Sequence, residues 1–161
     1  MKRLILIVLA IVIVPAAAFA SGTAPNVTLK DPHGGAHNIA GLLKSGGVLV
    51  MTAPTYHLRG SQKGWSNVLP AAMPKGGMLL FVEDMSVSDW KKIAKKDMAK
   101  EWKPGVPPIL LLDETGSVRK MLGEAPDTTG VFVYTKGGKL VYTYKGGPSA
   151  AEAKTIWAKV K

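Results

Sequence analysis

The chain has 161 residues, 21 Lys and Arg against 11 Asp and Glu, a formal net charge of +10, and no cysteine. Its length suits one domain, and 47% apolar residues are enough to build a core. Without cysteine there is no disulfide, no thiolate metal site, no iron–sulfur cluster and no thiol nucleophile.

Lys2 and Arg3 precede an apolar run from Leu4 to Val14, Pro15 ends that run, and Ala18-Phe19-Ala20 fits a small-residue cleavage site. This is the layout of a secretory signal peptide. A membrane anchor needs about 20 consecutive apolar residues, more than this run supplies. Residues 1–20 are therefore read as a signal peptide and 21–161 as the exported domain, periplasmic or secreted from a bacterium, with no stable membrane span after cleavage.

Val27 to Lys30 alternates and reads as a short edge strand, and Asp31-Pro32-His33-Gly34-Gly35 reads as a loop. Asn38 is placed to cap a short helix over Ile39 to Lys44. Val48-Leu49-Val50-Met51 is a continuous apolar run, the pattern of a strand buried on both faces. A helix is predicted over 59–69 with Trp65, Val68 and Leu69 inward, and Pro70 and Pro74 leave the position of its end open. Met78 to Val82 is a second buried strand. Ser88 then opens a predicted helix through Trp102. Its inner stripe is Trp90, Ile93, Ala94, Met98 and Trp102, and Lys91, Lys92, Lys95, Lys96, Lys100 and Lys103 lie mostly off that stripe.

Ile109 to Leu112 is a third buried run. Asp113-Glu114-Thr115-Gly116 turns the chain, and Val118 to Leu122 reads as a short extension beyond it. Gly130 to Thr135 and Lys139 to Tyr144 form a hairpin through Lys136-Gly137-Gly138. Ser149-x-x-Glu152 is a capping box for a last helix with Ala153, Ile156, Trp157 and Val160 on one face. Strands alternating with helices imply parallel pairs and right-handed crossovers. The fold class is therefore α/β, a mixed β-sheet with helices on both faces, closed by a C-terminal β-hairpin plus helix.

Two blocks carry a family resemblance. Val48 to Arg59 is similar to the strand and loop that lead into the C-x-x-C motif of thioredoxin-like exported proteins. Thr129 to Val141 resembles the cis-proline strand and hairpin of the same three-layer fold. Among variants the chain is most similar to the cysteine-less periplasmic YtfJ-type proteins. The resemblance implies that Tyr56 and Arg59 occupy the two cysteine slots and Thr129 the cis-proline slot. A non-proline residue there prefers trans by about 2.5–4 kcal/mol, so peptide binding in the thioredoxin manner is expected to be weak or absent.

Disulfide exchange and thiol-based peroxide reduction both need a thiolate. Neither is open to this polypeptide, and no catalytic residue is assigned. Tyr56, His57 and Arg59 fall at the end of a central strand, where open α/β sheets place ligand sites. With Thr129 opposite, they form either a vestigial ligand edge, at most holding an anion on Arg59, or a solvated loop. His33 and His37 are four residues apart, but the Pro and Gly between and beside them argue against a shared helix face. They are weak metal candidates, and no metal or other cofactor is expected. Lys91, Lys92, Lys95 and Lys96 form either a basic patch for an anionic envelope component or a solubilising face. No nucleic-acid motif is present, and an exported protein is not expected to meet nucleic acid. The reading is a binding or accessory module with an unknown periplasmic or envelope partner. The alternative is an enzyme or metal-binding protein using non-thiol chemistry around Tyr56, His57 and Arg59.

Overall fold

The computed structural model describes residues 22–88 and 91–160. The predicted signal peptide, and Asp89 and Trp90 in the predicted lysine helix, lie outside the described residues. Three apolar runs form the parallel centre of the sheet: β3 (Ser45–Thr52), β4 (Leu79–Asp84) and β5 (Ile109–Asp113). On one side β6 (Gly130–Lys136) pairs antiparallel with β3, and β7 (Lys139–Tyr144) pairs antiparallel with β6. On the other side β1 (Thr28–Lys30) pairs antiparallel with β5 and carries β2 (Ala36–Asn38) outside it. The seven-stranded order is β2-β1-β5-β4-β3-β6-β7. The predicted α/β class and mixed sheet are what the chain adopts.

The helices divide between two faces. Along β4 alternate side chains point to opposite faces. Leu79 and Phe81 join Trp65 and Leu69 of α2 (Arg59–Ala72) and Ile156 and Trp157 of α5 (Ala150–Ala158). Met98 of α3 (Lys91–Glu101) packs against the same cluster. Leu80 and Val82 point the other way, to Ile39 of α1 (Ile39–Leu42) and to Val118 and Leu122 of α4 (Ser117–Leu122). Placing both α2 and α3 on one face follows from two right-handed crossovers running the same way along the sheet, β3 to β4 to β5.

Local chemistry sets several ends. The Asn38 side chain accepts from the Gly41 N–H at 2.8 Å, capping α1 as predicted, though the helix stops at Leu42. Ser149 Oγ accepts from the Glu152 N–H at 3.1 Å and caps α5. Trp157 Nε1 donates to the Leu69 carbonyl at 2.9 Å and ties α5 to α2. The helix predicted over 59–69 runs on to Ala72 with Pro70 inside its last turn, and it ends two residues beyond that proline.

Three expectations are corrected. Val27 to Lys30 contributes a strand that is not at the edge, because residues 36–38 fold back as β2 and cover it. Val118 to Leu122 belongs to the helix α4 rather than an extension. Asp113 Oδ2 accepts from the Val118 N–H at 2.7 Å and Gly116 turns with φ +68°, which together start the helix. The predicted inner stripe of α3 is only partly real. Ala94, Met98 and Trp102 are half-buried, but Ile93 is 56% exposed and no described residue of α3 is fully buried. Trp102 is accordingly half-buried, whereas Trp157 is core. Among the described residues no helix is long and apolar enough to cross a membrane.

Candidate functional site

The parallel strands end together. Thr52 pairs in register with Glu83, and Asp84 with Asp113, so polar groups gather where the apolar runs stop. This carboxyl end of the sheet is where ligand sites lie in open α/β folds. Three of these groups are held firmly. Thr52 and Thr129 bring their hydroxyls within 3.3 Å in a buried contact between β3 and the start of β6. Asp113 caps α4 through its carboxylate. Asp84, pointing to the α4 face, accepts from Arg119 Nε at 2.7 Å, and both side chains are buried. Arg119 Nη1 also donates to the carbonyls of Ala125 and Thr128, the latter at 3.1 Å. That cation therefore fixes the turn that leads into Thr129. Gly116 makes room for this centre, since a Cβ there would lie 2.7 Å from Ser86 Oγ and 3.2 Å from Asp84 Oδ1.

Glu83 points to the opposite face, toward α2 and α3. It is only 2% exposed. Gln62 Nε2 of α2 donates to its Oε1, while its Oε2 is buried with no hydrogen-bond partner. Burial pushes its carboxyl up to about 7; the Gln62 bond and the Arg119 charge pull it down and the Asp84 charge raises it, without cancelling that effect. A cleft of about 780 Å³ opens above it. The floor is Phe81, Glu83 and Leu110. One wall is Arg59, Gln62 and Lys63 of α2, and the other is Asp97, Met98 and Glu101 of α3 with Trp102 just beyond. Ser88 Oγ donates to the Pro54 carbonyl at 3.3 Å, which ties the loop after β3 to the segment leading toward α3.

The predicted site residues are brought together only in part. Tyr56, 88% exposed, and Arg59 stand at the mouth of the cleft. His57 is exposed beside Tyr56, their rings edge-to-face with centroids 6.0 Å apart, but it does not line the cleft. Thr129 is buried against Thr52 and lies away from the cleft lining. The Thr128–Thr129 peptide is trans; the cis bond among the described residues is Pro107–Pro108. The His33 and His37 rings take different partners. The His33 ring contacts the Trp102 carbonyl at 2.8 Å, and His37 pairs with Asp31 at 2.8 Å. Partial burial pushes Asp31 up, but His37 and the N–H groups of Gly35 and His33 outweigh it and hold the carboxyl below its usual value. Lys91, Lys92 and Lys96 are exposed on α3, whereas Lys95 pairs with Glu114 and Lys100 with Asp97 at 3.2 Å. None of these lysines lines the cleft.

Sequence reasoning passed over Glu83, Gln62 and Arg119. Glu83 had a signal: it directly follows the apolar run 78–82, where an ionisable residue must either be paired or face a cavity. Gln62 and Arg119 gave none, since nothing local says which distant group they meet.

No family model matches the chain, and no curated protein matches it. Solved structures do. The exposed lipoprotein thioredoxin of Streptococcus pneumoniae is 15% identical with a TM-score of 0.64, over 84% of this chain and 100% of that one. A secreted Mycobacterium tuberculosis disulfide oxidoreductase homologous to Escherichia coli DsbE is 15% identical with a TM-score of 0.63, over 84% and 96%. A putative thioredoxin from Neisseria meningitidis is 22% identical with a TM-score of 0.59, over 86% and 92%. At these identities the likeness concerns the fold alone, and it agrees with the sheet order and the two helical faces: this chain is a thioredoxin-like fold that contains no cysteine.

Proposed function

We propose that this chain is an exported, YtfJ-type binding module that works without thiol redox chemistry and holds its ligand at the carboxyl end of the parallel strands. The observation that carries the reading is the cleft between α2 and α3, about 780 Å³ with an apolar floor and one buried acid, in a chain with no thiolate to offer. Its volume falls in the range of small-molecule sites, roughly 300–1,000 Å³. Export is supported by the leader-like residues 1–20 and by the secreted and surface-exposed proteins among the similar structures. An enzyme built on Tyr56, His57 and Arg59 is less well supported. Among the described residues no hydrogen bond joins any two of them, so nucleophile, base and orienting group are not assembled. The exposed Lys91, Lys92 and Lys96 would favour an anionic envelope component as the neighbour of this module.

Two measurements on the purified protein test the reading. Insulin reduction should stay at background, and turnover above it would refute the absence of redox activity. In an NMR screen of small molecules of mixed charge, binders should shift amides of residues 54–59, 62–67 and 94–102. Binders that map only to other surfaces would move the site away from the cleft.

A further inference from the structure

Glu83 is committed on one oxygen and uncommitted on the other. Gln62 Nε2 occupies Oε1, and Oε2 is buried without a partner beside an open cleft. A buried acceptor left unpaired destabilises the fold, more so if it is charged. A donor arriving through the cleft would remove that cost. The apolar part of the lining is Phe81 and Leu110 on the floor and Met98 and Trp102 on the α3 side. The charges facing Glu83 are Arg59 and Lys63 from α2, Asp97 and Glu101 from α3, Asp84 within β4, and Arg119 from α4 behind the sheet. Arg59 and Lys63 are exposed, where water and salt screen them. Glu83 is at the bottom, where a charge interacts most strongly.

We infer that the cleft takes a small organic cation with an apolar body, whose N–H groups donate to Glu83 Oε2 while its hydrocarbon packs on Phe81, Met98 and Trp102. This rests on the cleft being the ligand site of the proposed function. Arg59 at the mouth is then a gatepost rather than the anchor, and the depth of the acid selects charge sign. Because burial raises Glu83 to about 7, only about half of the molecules present the ionised acid to a cation at neutral pH. Between pH 6 and pH 8 the ionised fraction rises about tenfold, and affinity for an amine that stays protonated across this range rises with it.

The test uses three probes of one shape: 2-phenylethylamine, 2-phenylethanol and 3-phenylpropionate, titrated by NMR with indole fluorescence as a second readout. The amine should bind tightest at pH 8, shift residues 62–67 and 94–102, and gain about tenfold in affinity from pH 6 to pH 8. Glu83→Gln should lose at least tenfold at pH 8 and show no pH gain. In the unmutated protein the amine should also lower the Glu83 titration midpoint, a readout that needs no variant. The inference is overturned if the alcohol matches the amine or if 3-phenylpropionate binds best, placing the anchor at Arg59. It is also overturned if the pH gain survives in Glu83→Gln, which would assign it to another group such as His57. If none of the three probes shifts the cleft while other molecules do, the cation inference alone falls. If nothing of any charge shifts it, the proposed function falls as well.

Discussion

Glu83 and Asp84 are neighbours in β4, both acidic and both buried, yet the sheet sends them to different fates. Asp84 faces α4 and meets Arg119, which also holds the carbonyls of Ala125 and Thr128. Glu83 faces α2 and α3, meets only an amide, and keeps one oxygen without a partner. The period-two alternation of a strand is the whole difference. One carboxylate became part of the scaffold that positions the turn before β6. The other stayed available, at the floor of a cleft. The teaching is that burial alone does not commit an acid to the scaffold; the partner on the facing helix does.

Removing the partner of Asp84 should break this contrast most strongly. Arg119→Met leaves Asp84 buried without its cation and frees the 125–128 turn. A loss of about 3–5 kcal/mol is expected in urea unfolding, as for other buried pairs cut on one side. A loss under 1 kcal/mol would mean that Asp84 is not held by Arg119 in the way its geometry indicates.

The next effect is a pH slope that belongs to Glu83. A carboxyl raised in the folded state binds its proton more tightly there than when unfolded. Stability from this group is therefore greatest below pH 4.5, falls as pH rises to about 7, and is flat beyond. The fall amounts to about 3 kcal/mol. Glu83→Gln should remove it, so the variant should be more stable than the parent at pH 8 and no more stable at pH 4. Parallel pH profiles for the two proteins would show that Glu83 is not strained by burial.

The smallest effect sets the scale for the other two. Lys95 and Glu114 form an ion pair of the same charge types, but both side chains are nearly half exposed. Lys95→Ala should cost no more than about 1 kcal/mol in the same unfolding assay. A cost comparable to that of Arg119→Met would mean that α3 is anchored through this pair.

The fold was legible because its signals are local. Each central strand is a continuous apolar run, and each alternates with a segment of helical spacing, so the order of elements and the mixed sheet follow from patterning. Asn38 and Ser149 announced their caps for the same reason, since a cap acts over three residues. The misreadings are equally physical. Residues 36–38 are too short to show alternation, and their strand exists only because β1 is there to pair with. The helix α4 depends on Asp113, four residues ahead of its first turn. Ile93 looks like core at helical spacing, but α3 packs on the sheet only through its Met98 side, which leaves that isoleucine in water.

The candidate site divides the same way. The sequence by itself determined that no thiol chemistry is available, that the parallel strands end near Thr52, Glu83 and Asp113, and that Tyr56 and Arg59 follow the first of them. Composition and strand periodicity act at short range, so one dimension suffices to read them. Only the tertiary structure decided that α2 and α3 share a face and stand apart over Phe81 and Leu110, that Gln62 reaches one oxygen of Glu83, and that Arg119 goes to Asp84 instead. Those outcomes depend on crossover handedness and on side chains tens of residues apart meeting in space, and a hydrogen bond has no signature in a sequence until both of its ends have been placed.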